Sequence, residues 1–311
     1  MYKLPLFSLC LAFAYSSFSQ IKPMLLKDKY AFQYKGMYFE VDPLTGGRIS
    51  AFNLHGKESL FLDTTKRNNN WGATFWPAPQ SKWGWPPSDT LDSKPYKAEV
   101  VGTSLVVNSL PTHATPRCAF TKTFSVSEVD TSVIVTYGIV NMAKETVKWS
   151  PWQIARVPSG GLSFFPSGET PISGDLAPLM KMEDGITWFH YDSTKIPAGV
   201  PKLFSDGRDG WLAHVDDNGL LIVFKFTDTP PALKAEGEDE IEFYAHPGLS
   251  YVELEPLGPI ATIAPMGKTE WTVKWYIRQL PSHVHNTIGS ESLVHYVRSV
   301  IKIRPVVNKK K

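Results

Sequence analysis

Cysteine is nearly absent from this chain of 311 residues, which contains only Cys10 and Cys118. Cys10 lies in an N-terminal segment that we expect to be removed, so that Cys118 has no partner for an intrachain disulfide. A disulfide-stapled scaffold is thereby excluded, and the stability must come from a hydrophobic core. With no acid or histidine pair close to it in the sequence, Cys118 is predicted to be an inert buried side chain rather than a reactive thiol.

An excess of charge of either sign is also absent. The 32 Lys and Arg residues nearly balance the 30 Asp and Glu residues, and the only basic block is residues 309–311. Nucleic acid is therefore not an expected partner. The sequence has no Gly-x-Gly-x-x-Gly or Gly-Lys-Ser element, and Gly160-Gly161 is followed by a strand-like run rather than a helix. A nucleotide cofactor is disfavoured, and no other cofactor is expected.

Long hydrophobic runs are missing except at the N terminus. There, Lys3 precedes an apolar run over residues 4–15, and small residues follow up to Ser19. The run is too short to span a bilayer comfortably, so we predict a cleaved signal peptide over residues 1–19. The mature protein is then expected to be periplasmic or secreted, with no integral membrane segment after cleavage.

What the sequence does contain is proline (25), glycine (22) and tryptophan (10), with 42% hydrophobic residues overall. This content allows a large core, and the many helix-interrupting residues exclude a helical bundle. Period-two alternation or short β-branched runs predict antiparallel strands in an all-β protein. The predicted strands are 37–41, 104–110, 119–126, 132–140, 186–191, 211–215, 220–227, 240–245, 250–257 and 270–278.

No repeat, linker or shift in composition divides the chain between residues 25 and 285, which favours one domain over residues 20–285. Asn218-Gly219 is the strongest turn signal, because this dipeptide tolerates the positive φ of a tight hairpin. Residues 286–311 are predicted to form a C-terminal helix and a basic tail. The helix, over residues 292–303, has one apolar face and should pack on the outside of the sheets.

Residues 71–87 combine aromatic side chains with four prolines. The aromatic residues are Trp71, Phe75, Trp76, Trp83 and Trp85. Because proline removes an amide donor and forces an extended path, we expect a rigid loop or edge rather than a core strand. Indoles on such a loop are suited to stacking on a sugar ring, with Gln80, Lys82 and Asp89 available for its hydroxyls. We expect at least two of the aromatic side chains to face a ligand, the alternative being that they seal one end of the core.

Two glutamates share one face of a predicted strand. Alternation places Glu253 and Glu255 together, with Val252 and Leu254 on the opposite face. Their mutual repulsion and partial burial would raise the pKa of one carboxyl toward neutrality, as acid–base catalysis near pH 7 requires. The alternative is an exposed polar face. The acidic run over residues 236–242 lacks the spacing of a calcium loop and is interpreted as a solvated turn.

Trp152, Gln153 and Arg156 follow a long strand-like segment. An arginine between apolar neighbours is expected to be held in a cleft by a carboxylate, which belongs either to a ligand or to a protein Arg–Glu pair.

Histidines supply the remaining candidates for acid–base catalysis. His190, His214 and His246 end or occupy predicted strands and are candidates for acid–base roles, although a hydrogen-bonded structural role is the alternative for each. His283 and His285 share a face but have no third ligand in spacing, so no metal site is expected.

Three segments resemble the galactose mutarotase-like superfamily: residues 46–49 with Arg48, the Trp-Pro run at 71–87, and Val-Glu-Leu-Glu-Pro at 252–256. Within that superfamily, the chain looks like the secreted proteins of unknown function that carry Phe-Trp-Pro-x-Pro-Gln-x-x-Trp-Gly-Trp-Pro-Pro. The resemblance covers about residues 30–280. It implies a β-supersandwich of large antiparallel sheets with a sugar in the cleft of the concave sheet, and a short helix follows in this chain.

The resemblance also implies a mechanism. In sugar epimerases of this superfamily, a strand glutamate takes the proton of the anomeric hydroxyl and a histidine donates to the ring oxygen. Leu254-Glu255-Pro256 resembles the context of that glutamate. The histidine is missing, because Ser150-Pro-Trp-Gln153 stands after Asn141 where those epimerases carry Asn-His. One of the three strand histidines would have to replace it.

Three functions remain open. The first is an epimerase with Glu255 as base, and the second is a polysaccharide lyase or glycoside hydrolase in which Arg156 neutralises a uronate or sulfate. The third is a carbohydrate-binding protein without catalysis, since a shared fold does not decide among them. All three imply a saccharide or oligosaccharide ligand. The candidate catalytic residues are Glu255, Glu253, His190 and His246, and the candidate substrate-binding residues are Arg48, Trp76, Gln80, Trp83, Trp85, Trp152, Gln153 and Arg156.

Overall fold

The computed structural model describes residues 20–63, 70–248 and 251–302. The predicted signal peptide (residues 1–19) and most of the predicted basic tail lie outside these residues. The described chain is nearly all β, with two large antiparallel sheets and one short C-terminal helix. This confirms the predicted fold class. No helix within the described ranges is both long enough and apolar enough to cross a bilayer.

The strands, in chain order, are β1 (Met24–Leu26), β2 (Lys29–Tyr34), β3 (Met37–Asp42), β4 (Arg48–Leu54), β5 (Lys57–Glu58), β6 (Ala73–Ala78), β7 (Lys97–Val101), β8 (Ser104–Asn108), β9 (Cys118–Ser127), β10 (Ser132–Asn141), β11 (Val147–Pro158), β12 (Leu162–Pro166), β13 (Lys181–Glu183), β14 (Ile186–His190), β15 (Lys202–Ser205), β16 (Trp211–Val215), β17 (Leu220–Lys225), β18 (Ile241–Ala245), β19 (Tyr251–Pro256), β20 (Ala261–Ile263) and β21 (Lys268–Gln279). The helices are α1 (Asp89–Asp92) and α2 (Glu291–Val300), with short 3-10 turns at Gln80–Lys82, Ala177–Leu179 and Pro231–Leu233.

The first sheet has 11 strands, in the order β1-β2-β3-β4-β6-β11-β19-β18-β15, with β5 paired to β4 and β20 to β11. The second sheet has 10 strands, in the order β13-β14-β12-β16-β17-β21-β10-β9-β8-β7. The predicted hairpin is confirmed: β16 pairs with β17, and Gly219 has φ +76° in the turn between them.

The core lies between the two sheets, as strand alternation requires. Ala155 and Val157 of β11 are buried there with Val133 and Trp275 of the second sheet. The alternate residues of β11 point the other way, and we call this side of the first sheet, turned away from the second, the outer face. Helix α2 covers the far side of the second sheet, as predicted from its apolar face.

One local prediction is wrong. Residues 73–78 form a fully buried strand between β4 and β11, whereas residues 71–87 were expected to be a loop or edge throughout. Proline is tolerated here because Pro77 lies opposite Pro151 in the register, a position that exchanges no amide hydrogen bonds with its partner. On its other side, β6 pairs with β4 only at Ala73, so no ladder bond is lost there. The loop begins after Ala78.

Candidate functional site

The two predicted glutamates lie on the outer face of β19, between β11 and β18. Val252 and Leu254 point into the core, so Glu253 and Glu255 share the outer face as the alternation predicted. The charge of Glu255 is close enough to raise the pKa of Glu253. The alternative, an exposed polar face, is wrong because both side chains are buried.

Glu253 is paired with Arg156 across the β11–β19 ladder. The guanidinium Nε lies 2.7 Å from a carboxylate oxygen of Glu253, and Nη1 donates to Thr74 Oγ1 at 3.3 Å. The guanidinium also lies over the Trp76 ring, 5.6 Å from its centroid. Burial and the charge of Glu255 raise the pKa of Glu253 to about 7 against the opposing effect of Arg156. The side chain of Glu253 retains 11% exposure, so solvent reaches it.

Glu255 is fully buried and differs from Glu253 in its partners. One oxygen accepts the indole N–H of Trp152 at 3.0 Å and the ammonium of Lys202 at 3.2 Å. The other oxygen, Oε1, has no hydrogen-bond partner among the described residues. Glu255 is therefore paired and enclosed, whereas the neighbouring Glu253 has a pKa near neutrality.

Lys202 and Glu242 complete this cluster, and sequence reasoning missed both. Lys202 Nζ lies 2.7 Å from Glu242 and 4.8 Å from the centroid of the Trp152 ring. Although burial opposes it, the charges of Glu255 and Glu242 keep the pKa of Lys202 above its usual range. Glu242 was assigned to a solvated turn, yet it is completely buried, as is Glu240. Strand alternation would have predicted its position, because Glu242 and Tyr244 are two residues apart in β18 and therefore share the outer face.

Aromatic side chains continue the outer face next to Glu253. Tyr244 lies opposite Glu253 in the β18–β19 ladder, and the ring of His246 stacks on Tyr251 at 4.7 Å. His246 Nδ1 accepts the amide of Gly248, which leaves the proton of the neutral imidazole on Nε2. Burial lowers the pKa of His246, so the imidazole is neutral at pH 7. Its Nε2–H can therefore donate a hydrogen bond next to Tyr251, two residues before Glu253 on β19.

The tryptophans of residues 71–87 do not form one exposed surface. Trp76 is buried, donates to Asp92 at 2.9 Å and packs against Trp152. Trp83 is half-buried and donates to the carbonyl of Pro77 at 2.7 Å. Trp85 is the exception, with 60% of its surface exposed while its ring contacts Trp76 at 5.7 Å.

Three other predicted binding residues make protein contacts. Arg48 is buried on the outer face and is bound to Asp92, 3.2 Å away. Gln153 points into the core, where its oxygen accepts hydrogen bonds from Tyr137 and Trp275. The expectation that Gln153 joins Trp152 and Arg156 is wrong in geometry, because adjacent strand residues face opposite sides. The backbone N–H of Gln80 donates to a carboxylate oxygen of Glu238 at 2.8 Å.

Two of the candidate histidines are in the second sheet. His190 is exposed at the end of β14, and His214 is buried in β16, where its Nδ1 lies 2.9 Å from Ser163 Oγ. Burial lowers the pKa of His214 to about 4. The structure therefore packs His246 against Tyr251 of β19, the strand that carries both glutamates, and places His190 and His214 in the other sheet. Among the residues the structure describes, no three His, Cys, Asp or Glu side chains are grouped as a metal site would need.

The arrangement has a clear chemical capacity. Glu253 can accept and release a proton near pH 7, His246 can donate a hydrogen bond from Nε2, and Arg156 and Lys202 already carry carboxylate partners. A neutral polyhydroxylated ligand suits such a face better than an anion.

No protein-family model and no curated protein matches this sequence. Solved structures do match it. A galactose mutarotase related enzyme from Lactobacillus acidophilus is 9% identical, with a TM-score of 0.58 over 85% of this chain and 99% of that one. A galactose mutarotase-like protein from Lactobacillus casei is 8% identical, with a TM-score of 0.56 over 80% of this chain and 100% of that one. One from Clostridium acetobutylicum is 11% identical, with a TM-score of 0.54 over 84% and 98%.

Most of the similar structures are galactose mutarotase-like or aldose 1-epimerase structures. At such low identities, the likeness establishes the architecture rather than the activity. The chain has the galactose mutarotase-like β-sandwich fold.

Proposed function

We propose that this protein is a sugar epimerase-like isomerase whose proton-transfer group lies on the outer face of β19. The observation that carries the proposal is the contrast between Glu253, which reaches solvent and has a pKa of about 7, and Glu255, which is enclosed and bound by Lys202. Environments that separate the behaviour of two neighbouring carboxyls are typical of acid–base sites. The sequence favoured Glu255 as the base, but its burial makes Glu253 the better supported group.

The proposed step is the opening and closing of a sugar hemiacetal. The Glu253 carboxylate takes the proton of the anomeric hydroxyl, and the bond between the anomeric carbon and the ring oxygen breaks. The proton then passes from Glu253 through water to the ring oxygen, while the neutral His246 only donates a hydrogen bond from Nε2. Rotation about the neighbouring carbon–carbon bond and the reverse transfers close the ring and leave Glu253 as it began. No cofactor is needed, because only protons move.

The alternatives have weaker support. A lyase or hydrolase that uses Arg156 to neutralise a uronate or sulfate would have to displace Glu253 from the guanidinium. A binding protein without catalysis has one favourable observation, the exposed ring of Trp85. Measuring anomeric exchange of neutral aldoses by NMR separates these possibilities: exchange catalysed by the wild type and lost in Glu253→Gln supports the isomerase, and binding without exchange supports the binding protein.

We further propose that the chain is exported to the periplasm or secreted. The secreted proteins that its Trp-Pro run at residues 71–87 resembles have the same expected location. The N-terminal pattern around Lys3 and Ser19 supports this. The intact mass of the exported protein should correspond to a chain starting near residue 20. Retention of Met1 on the exported protein would refute cleavage.

A further inference from the structure

The Trp85 side chain is exposed to solvent, although the loop that carries it makes several contacts with the rest of the protein. The Trp83 indole donates to the Pro77 carbonyl, and the backbone N–H of Gln80 donates to the Glu238 carboxylate. The Lys82 ammonium lies over the Trp149 ring, 5.3 Å from its centroid. Three neighbouring contacts therefore fix the loop to the rest of the protein. A loop ordered in this way could bury its apolar side chains, yet it presents an indole to water.

The position of Trp85 relative to the proposed catalytic group is set by two ring contacts. Arg156, which binds Glu253, lies over the Trp76 ring at 5.6 Å, and the Trp76 and Trp85 rings are 5.7 Å apart at an interplanar angle of 77°. Trp76 is buried and donates to Asp92, so it serves as a support for Trp85 and presents no free face of its own. Trp85 is thus linked to Glu253 through two side chains, Trp76 and Arg156.

We propose that Trp85 forms a second sugar-binding position, so that the ligand is a neutral oligosaccharide with its reducing-end ring at Glu253 and the next ring stacked on Trp85. This inference rests on the proposed function for the position of the first ring. An indole offers a flat apolar face that matches the C–H face of a pyranose. A neutral first ring is favoured because the two cations that act on Glu253, Arg156 and Lys202, are already paired with carboxylates.

The test is calorimetric titration with D-glucose, D-galactose, D-mannose and D-xylose and with their α- and β-linked di- and trisaccharides. In the wild type, affinity should rise about tenfold from one to two residues in at least one series. Trp85→Ala should remove that rise and leave monosaccharide affinity and the melting temperature unchanged, whereas Trp85→Tyr should keep part of it. Val101→Ala, at an exposed apolar residue of the second sheet, serves as the matched control.

Affinity that does not rise with chain length in any series, or a rise that survives in Trp85→Ala, overturns the second position. The two proposals fail separately. If the wild type isomerises a monosaccharide through Glu253 but shows no gain with chain length, only the second position is wrong. If the gain at Trp85 is present while no variant or wild type catalyses anomeric exchange, only the isomerase is wrong.

Discussion

Arg156 binds Glu253 across two neighbouring strands, with 2.7 Å between the guanidinium Nε and a carboxylate oxygen. Arg156 is fully buried and Glu253 nearly so. The pair was one of two outcomes that the sequence allowed for this arginine. Through this pair, Arg156 lowers the pKa of Glu253, the proposed proton-transfer group. The charge of Glu255 acts in the opposite direction and raises it.

Replacing Arg156 with Met should destabilise the protein by about 3–5 kcal/mol, because a buried carboxylate loses its partner. It should also raise the pKa of Glu253 above about 7, since the lowering effect of the guanidinium is lost. Urea unfolding measures the first effect and ¹³C NMR of the Glu253 carboxyl the second. The double variant Arg156→Met/Glu253→Gln should recover part of the lost stability. An unchanged Glu253 titration in Arg156→Met would contradict the electrostatic account.

Replacing Lys202 with Met should destabilise the protein more at pH 9 than at pH 5. The ammonium stabilises the ionised form of Glu242, whose pKa is raised by burial, and at low pH this carboxyl can take up a proton when the cation is missing. Urea unfolding at the two pH values measures the difference. Lys202→Arg should retain most of the stability, and Lys195→Met, at an exposed surface pair, should have little effect at either pH. Equal losses at both pH values would show that Lys202 acts only through packing.

Trp76→Ala should cost about 3–5 kcal/mol of unfolding free energy, whereas Trp85→Ala should change it by less than about 0.5 kcal/mol. Trp76 is buried with a hydrogen bond to Asp92, and Trp85 is mostly exposed. Urea unfolding of both variants tests the difference. Similar losses for both would mean that the Trp85 ring is also part of the core.

Glu240→Gln should stabilise the protein increasingly as the pH rises from about 4.5 to about 8. Burial, with added repulsion from Asp228 and Asp206, raises the pKa of Glu240 to about 8. An acid whose pKa is raised by folding destabilises the folded state once pH exceeds its unfolded value, and the penalty grows until pH passes the folded value. We expect a gain on the order of a few kcal/mol at pH 8 and none at pH 4.

Thermal or urea unfolding of Glu240→Gln and wild type across this pH range is the measurement. Glu236→Gln, at an exposed position in the same acidic run, is the control and should track the wild type. A stability difference that is constant with pH would mean that Glu240 does not titrate in this range.

The strands with regular alternation were predictable from sequence because their pattern is local. Residues 132–140, for example, correspond to β10 within one residue at the C-terminal end. Strand β6 was not predictable as a core strand, because its proline is tolerated only by the pairing of Pro77 with Pro151, which are 74 positions apart in the sequence and meet only in the folded sheet.

The candidate site was predictable to the same extent. The shared face of Glu253 and Glu255 follows from local alternation. The role of Lys202 does not, because its contact with Glu255 spans 53 residues and depends on the order of β15, β18 and β19 in the sheet. The burial of Trp76 likewise depends on Trp152, which belongs to another strand.

The central claim is that Glu253 carries the proton in a sugar isomerisation. The most direct test is NMR exchange spectroscopy between the anomers of neutral aldoses and their oligosaccharides, with wild type, Glu253→Gln and Glu255→Gln. We predict that the wild type accelerates exchange of at least one sugar and that Glu253→Gln lowers this rate by about 10²–10⁴ while binding persists. Glu255→Gln should be milder, because it acts through the ionisation of Glu253. Wild-type exchange rates in Glu253→Gln, or sugar binding without any exchange in the wild type, would contradict the claim.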